Sequence, residues 1–161
     1  MQTVFDLGAS GYEPPAFPLM LGCFIAAITL VQTMRPRSAQ SRLTAFGAGL
    51  VLFLMVGLMV VSHHSEFERL KGALTAGHAE VVQGRVVDFR PDSNIGNGQE
   101  TFSVSGVQFI MRSAEITSSF NSTVGAGGPD LSDQCVRVAF VRESDRAKIV
   151  QLFLLPACDR R

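Results

Sequence analysis

The sequence predicts a pair of transmembrane helices followed by a small all-β domain. Two uncharged apolar blocks stand close together early in the chain, at 16–34 and 43–62. From residue 79 onward the apolar residues recur with a period of two, which is typical of strands. A chain of 161 residues has room for such membrane anchors and one small domain.

Each apolar block is interpreted as one membrane span. Neither block contains a charged residue, and each approaches the roughly 20 residues that a helix needs to cross a bilayer. The alternative is a buried helix of a soluble protein, which two such runs so close together disfavour. Acidic residues precede the first block and no A-x-A site follows it, so the pattern does not fit a signal peptide.

Charge in the flanking segments predicts the orientation of the spans. The connector 35–42 contains Arg35, Arg37 and Arg42, whereas the tail 1–15 carries only acidic charges. The positive-inside rule then places the connector in the cytoplasm and both termini outside it.

Small residues predict how the spans pack. Gly22 and Ala26 lie four apart in the first span, as do Ala45 and Gly49 in the second. This spacing lets helices approach closely in lipid, within one chain or between copies, so self-association through the spans is one expected contact. The alternative is that glycine and alanine are simply common in membrane spans.

A separate juxtamembrane helix is expected within 63–78. Ser65 and Glu68 have the spacing of a capping box, and Gly77 is suited to end the helix. One apolar face would consist of Phe67, Leu70 and Leu74.

Five strands are expected in the domain 79–161. The first, "AEVVQGRVVDF", changes phase near Gly84, where we expect a bulge or bend. A hairpin follows over 100–111 with Ser105-Gly106 as its turn, and "CVRVAFV" and "KIVQLFLL" close the chain. A bent first strand and a long interruption between the third and fourth fit a five-stranded OB-like barrel, with an open meander sheet as the alternative.

Five ordered motifs over about half of the chain, 81–154, carry a family resemblance. They are Gly84-x-Val86-x-x-Phe89, Glu100-x-Phe102-x-Val104-x-Gly106-x-x-Phe109, Phe120-Asn121-x-Thr123, Gly127-Gly128-Pro129 and Val136-Arg137-Val138. In this order they resemble a group of uncharacterised bacterial membrane-associated proteins with an OB-like C-terminal domain. Ile110-Met111 and Cys135 depart from the residues usual there. The resemblance implies the fold and a bacterial cytoplasmic membrane, and it implies no activity.

Two of the three cysteines are positioned to form a disulfide. Folding the last hairpin about Asp145 and Arg146 places Cys135 opposite Pro156, two positions from Cys158. Such a bond requires an oxidising compartment, which agrees with the predicted outside location. Two buried free thiols are the alternative.

The loop 113–134 is the candidate contact surface. It lacks the Gly-Lys-Ser/Thr of a phosphate loop, so we interpret it first as a closure. In that interpretation Phe120 plugs the barrel end, while Asn121 and Thr123 bond to local backbone. The second interpretation is a ligand or partner surface, for which the candidate residues are Phe120, Asn121, Thr123, Gly127, Gly128, Arg112 and Arg137.

The distribution of charged and aromatic residues disfavours two functional classes, nucleic-acid binding and transport. The net formal charge is +0, which disfavours nucleic acid, and Phe89, Phe102, Phe109 and Phe140 fall mostly on inward positions rather than on a stacking surface. The spans contain no ionisable side chain, which disfavours a transporter.

Catalytic and metal-binding patterns are also missing from the sequence. His63 and His64 are adjacent without a third ligand at useful spacing, and Glu80, Glu100 and Glu115 are isolated. We therefore expect a non-enzymatic, cofactor-free interaction or scaffold module in the membrane, with an envelope protein as partner. The alternative is a small-ligand-binding or hydrolytic envelope protein that uses the loop 113–134.

Overall fold

The computed structural model describes residues 1–12, 16–34, 39–92, 98–143 and 146–158. Over these residues the chain forms two longer helices, a short 3-10 helix and a six-stranded antiparallel sheet. The elements are β1 (Gln2–Asp6), α1 (Ala16–Met34), α2 (Ala39–Thr75), β2 (Glu80–Arg90), β3 (Gln99–Val104), β4 (Val107–Arg112), the 3-10 helix Val124–Ala126, β5 (Cys135–Glu143) and β6 (Arg146–Leu155).

The chain divides into two compact units. The first, here called the β-domain, consists of Met1–Gly11 with Glu66–Arg161, and the second, the helical unit, consists of Tyr12–Ser65. The side chains of Arg35, Arg37 and Arg42, on which the predicted orientation depends, lie outside the described residues.

Of the two expected spans, one coincides with a helix that is long and apolar enough to cross a membrane, by length and composition. Among the described residues only Phe46–Thr75, within α2, is long and apolar enough, whereas Met20–Val31 in α1 is a shorter apolar helix. The two helices touch at two of the predicted small residues. A Cβ on Gly49 would lie 2.5 Å from Thr29 Oγ1, and one on Gly22 would lie 3.3 Å from Val56 Cγ1.

The separate juxtamembrane helix was a wrong prediction, because α2 continues without a break to Thr75. Ser65 is not an N-cap; its hydroxyl donates to the carbonyl oxygen of Ser62 inside the helix, at 2.8 Å. Gly77 does end the helix as predicted. Its φ is +74°, and the N–H of His78 donates to the oxygen of Ala73 at 2.9 Å, as in a Schellman motif.

The sheet has the order β1-β6-β5-β2-β3-β4 and, over the described residues, is not closed. The expected five-stranded OB-like barrel is therefore not confirmed, since these residues form an open six-stranded sheet. The sixth strand is β1, from the segment assigned to an N-terminal tail, which pairs antiparallel with β6 at Thr3 and Phe153. Leu7 follows β1 and is 2% exposed, with its N–H bonded to Val150 O at 3.0 Å.

The long strand β2 turns from one partner to another at its middle. Its first half pairs with β5, ending at Arg85, and its second half pairs with β3 from Val86. The irregularity expected near Gly84 lies further on, at Asp88, whose φ is +51°. Gly84 instead permits close approach, because a Cβ there would lie 2.8 Å from Ser105 Oγ.

The predicted β3–β4 hairpin is confirmed. Ser105 and Gly106 both have positive φ, +50° and +81°, as a type I′ turn requires. The inward side chains of this hairpin pack against β5. The ring of Phe109 on β4 lies 5.1 Å from that of Phe102 on β3 and 5.3 Å from that of Phe140 on β5. The core cluster consists of Val86, Phe102, Val104, Phe109, Met111, Phe120, Leu131, Val136, Val138, Phe140, Ile149 and Leu152.

The predicted disulfide between Cys135 and Cys158 is also confirmed, with Cα atoms 5.2 Å apart. The expected register was wrong by one residue: Cys135 lies opposite Leu155 rather than Pro156. The hairpin is centred one position earlier than expected, since Glu143 pairs with Arg146, which alone would place Cys135 two residues off. The register shift between Ala139 and Phe140 offsets one of these two residues. The predicted turn residue Asp145 lies outside the described residues.

Candidate functional site

The loop 113–134 closes one end of the sheet by burying Phe120. This side chain is 9% exposed and belongs to the core cluster, and its ring lies 5.5 Å from that of Phe5 on β1. Its N–H donates to Ile149 O on β6 at 2.9 Å. These contacts agree with the expectation that Phe120 plugs the end of the domain.

The polar candidates of the loop make structural hydrogen bonds. Asn121 Nδ2 donates to the carbonyl oxygens of Glu115, at 2.6 Å, and Arg112, at 3.3 Å, so its local backbone bonds match the expectation. Thr123 differs: it is fully buried, and its hydroxyl donates to the carboxylate of Asp92 at 3.3 Å instead of to local backbone. Thr123 thereby ties the loop to the end of β2.

The two candidate glycines shape the turn that follows. Gly127 has φ +85°, the left-handed region that side chains disfavour. A Cβ on Gly128 would lie 2.1 Å from the backbone oxygen of Ser122, and the N–H of Gly128 donates to Thr123 O at 2.8 Å. Both glycines are required by the path of the chain.

Glu100, which is isolated from other acidic residues in the sequence, is a buried acid. It lies on β3 with no exposed surface, and its Oε2 accepts the N–H of Val124 at 3.0 Å. Oε1 is buried without a hydrogen-bond partner. Burial raises the pKa of Glu100; N–H donors from Val124 and Asp92 oppose the rise, and the charges of Asp92 and Asp130 add to it.

A period-two signal was available for Glu100, because it shares its strand face with Phe102 and Val104, both of which are buried. Its location beside the loop was not readable, since Val124 and Asp130 lie more than twenty positions away. Full burial means that Glu100 cannot touch a substrate in this conformation. Its carboxylate instead anchors the loop to the sheet.

The gap between β4 and β6, here called the seam, holds a small cleft. The cleft has a volume of about 20 Å³, close to the space of a single water molecule. A larger groove of about 310 Å³ lies next to it and shares Ile110, Arg146 and Ala147. The residues around the seam cleft are Ile110, Arg112, Glu115, Thr117, Ser119, Phe120, Asn121, Arg146, Ala147, Lys148 and Ile149.

Two cations of β6 at the seam, Arg146 and Lys148, are paired with acidic side chains. Arg146 bonds to Glu115 at 3.2 Å. Lys148 bonds to Glu66 of α2 and lies 3.5 Å from Glu143, which also bonds to Arg69. Partial burial alone would raise the pKa of Glu143, but Arg69 and Lys148 hold it below its usual range.

The two candidate arginines are not brought together. Arg112 donates to Gln99 Oε1 from Nε at 3.1 Å and from Nη2 at 2.9 Å, and it lines the seam cleft. Arg137 lies on β5, opposite Gln83 and Phe153. The seven candidates therefore separate into a seam group, a turn group around Glu100, and Arg137 alone.

Two further findings bear on the site. Among the residues that the structure describes, no group of three or more His, Cys, Asp or Glu side chains is placed to hold a metal ion. No protein-family model, curated protein or solved structure matches the chain.

Proposed function

We propose that this chain is a membrane-anchored interaction or scaffold module, in which α1 and α2 cross the cytoplasmic membrane and the β-domain lies outside the cytoplasm. The pairing of β1 with β6 carries this proposal. Because of that pairing, both ends of the helical unit connect to one folded domain. A segment whose two ends return to the same side crosses a membrane an even number of times.

The requirement for an even number of crossings supports α1 as the second span. One segment of α2 is long and apolar enough to cross. α1 has 19 residues, which at about 1.5 Å per residue comes close to the ~30 Å of a bilayer core. The disulfide between Cys135 and Cys158 supports an oxidising, outside location for the β-domain.

We also propose that the β-domain is OB-like and related to the bacterial membrane-associated proteins that its motifs resemble. The five strands from β2 to β6 lie in the spatial order β4-β3-β2-β5-β6, and residues of β4 and β6 line one cleft. An OB fold is a partly open Greek-key barrel, so an incomplete closure at this seam is compatible with it. In this interpretation β1 is an addition on the outer edge of β6.

Interaction is favoured over catalysis by the state of the candidate residues. Glu100 is fully buried, and Asn121 and Thr123 are engaged in bonds that hold the loop. The loop's own cleft, at about 20 Å³, is far below the roughly 300–1,000 Å³ of small-molecule sites, and the groove of about 310 Å³ beside it has no residue of the loop 113–134 in its lining. The partner we propose is therefore an envelope protein, or a second copy contacted through the spans.

Thiol labelling of intact spheroplasts tests the topology. Cys23, the exposed free cysteine, is changed to Ala, and single thiols are introduced by Ala9→Cys or Ser132→Cys, both at exposed positions. We expect a membrane-impermeant maleimide to label both without lysis. Labelling of one position but not the other would contradict an even number of crossings.

Crosslinking in intact membranes tests the partner. A photo-crosslinker is placed at exposed Ser132 or exposed Ile116, and conjugates are identified by mass spectrometry. We expect a discrete conjugate with one envelope protein or with a second copy. A chain that is recovered only as an unconjugated monomer, with correct topology, counts against the interaction proposal while leaving the anchor intact.

A further inference from the structure

The carboxylate of Glu66 joins α2 to the segment that forms one wall of the seam cleft. It accepts hydrogen bonds from the hydroxyl of Thr117, at 3.0 Å, and from the N–H of Ser118, at 3.4 Å. Lys148 on β6 forms an ion pair with the same carboxylate. The side chains of Glu66 and Lys148 are only 17% and 19% exposed, so this contact is largely shielded from water.

The same segment is tied to the strands on both sides of the seam. Asn121 holds it to the end of β4 through Arg112 O. Glu115 pairs with Arg146 of β6 at 3.2 Å, and the N–H of Phe120 donates to Ile149 O. With these contacts made, residues 115–121 cover the seam and leave the cleft at about 20 Å³.

Lifting this segment would change the size of the available space. The groove of about 310 Å³ beside the cleft already shares Ile110, Arg146 and Ala147 with it. Residues 115–121 line the cleft but not the groove, so lifting them would expose the cleft and extend the groove at the three shared residues. The closed and open arrangements thus differ in whether a molecule in the groove can also reach the residues of the cleft.

We propose that Glu66 is a latch: it holds residues 115–121 over the seam, so that movement of α2 controls access to the cleft. α2 is a continuous helix of 37 residues, about 55 Å long at 1.5 Å per residue. Its last turns, from Glu66 to Thr75, belong to the β-domain, so a shift of these turns would withdraw the carboxylate from the segment. The inference goes beyond the proposed function and does not require the membrane placement.

Thiol reactivity at the cleft tests the latch in the purified full chain. On a Cys23→Ala background, Ile110→Cys places a reporter thiol on the wall shared by cleft and groove. Glu66→Ala should raise its rate of alkylation about tenfold, because charge-assisted hydrogen bonds to the segment are lost. The matched control is Glu80→Ala, which removes another ion-paired carboxylate, bonded to Arg142 at 3.2 Å, away from the segment.

Hydrogen exchange distinguishes a latch on residues 115–121 from a contact that stabilises the whole β-domain. In the Glu66→Ala chain, the amides of residues 115–121 should exchange faster while those of β5 keep their protection. If Glu66→Ala fails to fold, Lys148→Met removes the same ion pair and keeps the bonds to Thr117 and Ser118, with a smaller effect expected. Equal alkylation rates in the Glu66 and Glu80 variants, or a uniform loss of protection, would overturn the proposal.

Reciprocity provides the decisive measurement. Because coupling acts equally in both directions, a bulky maleimide attached at position 110 should speed amide exchange at residues 66–75 of α2. A purely structural contact predicts faster exchange only in the segment beside the label. Unchanged exchange in α2 after labelling would therefore exclude a latch.

Discussion

Among the residues that the structure describes, Glu100 stands out because its burial conflicts with its charge. Its carboxyl group has no exposed surface, one oxygen without a partner, and the carboxylates of Asp92 and Asp130 nearby. Folding raises the pKa of Glu100, so the folded domain binds the carboxyl proton more tightly than the unfolded chain does. The protonated carboxyl group therefore makes its full contribution to the free energy of unfolding below the unfolded pKa. That contribution is lost as the pH rises through the folded pKa.

We expect Glu100→Gln to stabilise the β-domain at neutral pH and to make its stability less dependent on pH. The amide can still accept the N–H of Val124, which now bonds to Oε2, and it carries no charge to bury. Urea midpoints from pulse proteolysis between pH 4 and 8 measure the difference, which should shrink in acid. A variant that is less stable than the parent at every pH would contradict this account.

Glu80→Gln is the matched control of opposite sign. Glu80 is exposed, and its hydrogen bond with Arg142 lowers its pKa. Its contribution to stability is present above the unfolded pKa and is lost as the pH falls, and it is small because the pair is solvated. Glu80→Gln should thus lower stability slightly at neutral pH and have no effect in acid.

Gly128 carries a second prediction at the residue scale. A Cβ would lie 2.1 Å from the oxygen and 2.7 Å from the carbonyl carbon of Ser122, and backbone atoms cannot rotate away. We expect Gly128→Ala to cost about 1–3 kcal/mol in the free energy of unfolding. Gly72→Ala, where nothing lies within 4 Å, should be neutral or stabilising in the same urea experiment.

Among the secondary-structure elements, those specified by local pattern were predicted and those specified by distant partners were not. The β3–β4 turn and the Gly77 stop depend on neighbours a few positions away, and both were found. β1 is five residues long, and its partner β6 lies about 150 positions away, so no local signal specified it. The capping-box spacing of Ser65 and Glu68 suggested a new helix start, but α2 continues and buries Phe67 and Leu70 in the β-domain.

The disulfide gives an element-scale prediction. Cys135 and Cys158 are 23 positions apart and join the start of β5 to the segment after β6. Reduction, or the paired change of both cysteines to Ser, should lower the free energy of unfolding by roughly 3 kcal/mol through the freedom gained by the unfolded chain. Urea midpoints with and without reductant measure this, and Cys23→Ala should leave them unchanged.

The strand β1 gives another element-scale prediction. Leu7, which follows it, is 2% exposed, so Leu7→Ala should destabilise the β-domain by about 2–5 kcal/mol. Met1→Ala is the control, since Met1 is 71% exposed. If the N-terminal segment were only a tail, both changes would leave the urea midpoint of the domain unaltered.

For the molecule as a whole, the sequence predicted individual loops and turns better than the contacts between segments that are distant in the chain. Phe120 was expected to close the end of the domain and Asn121 to bond to local backbone; Phe120 lies in the core cluster and Asn121 donates to Glu115 O. The role of Glu100 depends on a loop far along the chain, and the union of the N-terminal segment with the C-terminal strand depends on the completed fold. That union constrains the helical unit, because its two ends cannot lie on opposite sides of a membrane while β1 and β6 remain paired.

Deleting α1 should therefore disconnect β1 from its domain. A chain that lacks residues 16–34 would cross once through α2, leaving β1 and β6 on opposite sides. In right-side-out vesicles, Leu7→Ala should shorten the protease half-life of the β-domain in the parent chain and have no further effect in the deleted chain. An uncharged Leu/Ala helix of 19 residues in place of α1 should restore the effect of Leu7→Ala. If the effect persists in the deleted chain, β1 reaches β6 without a second span, and the proposed topology is wrong.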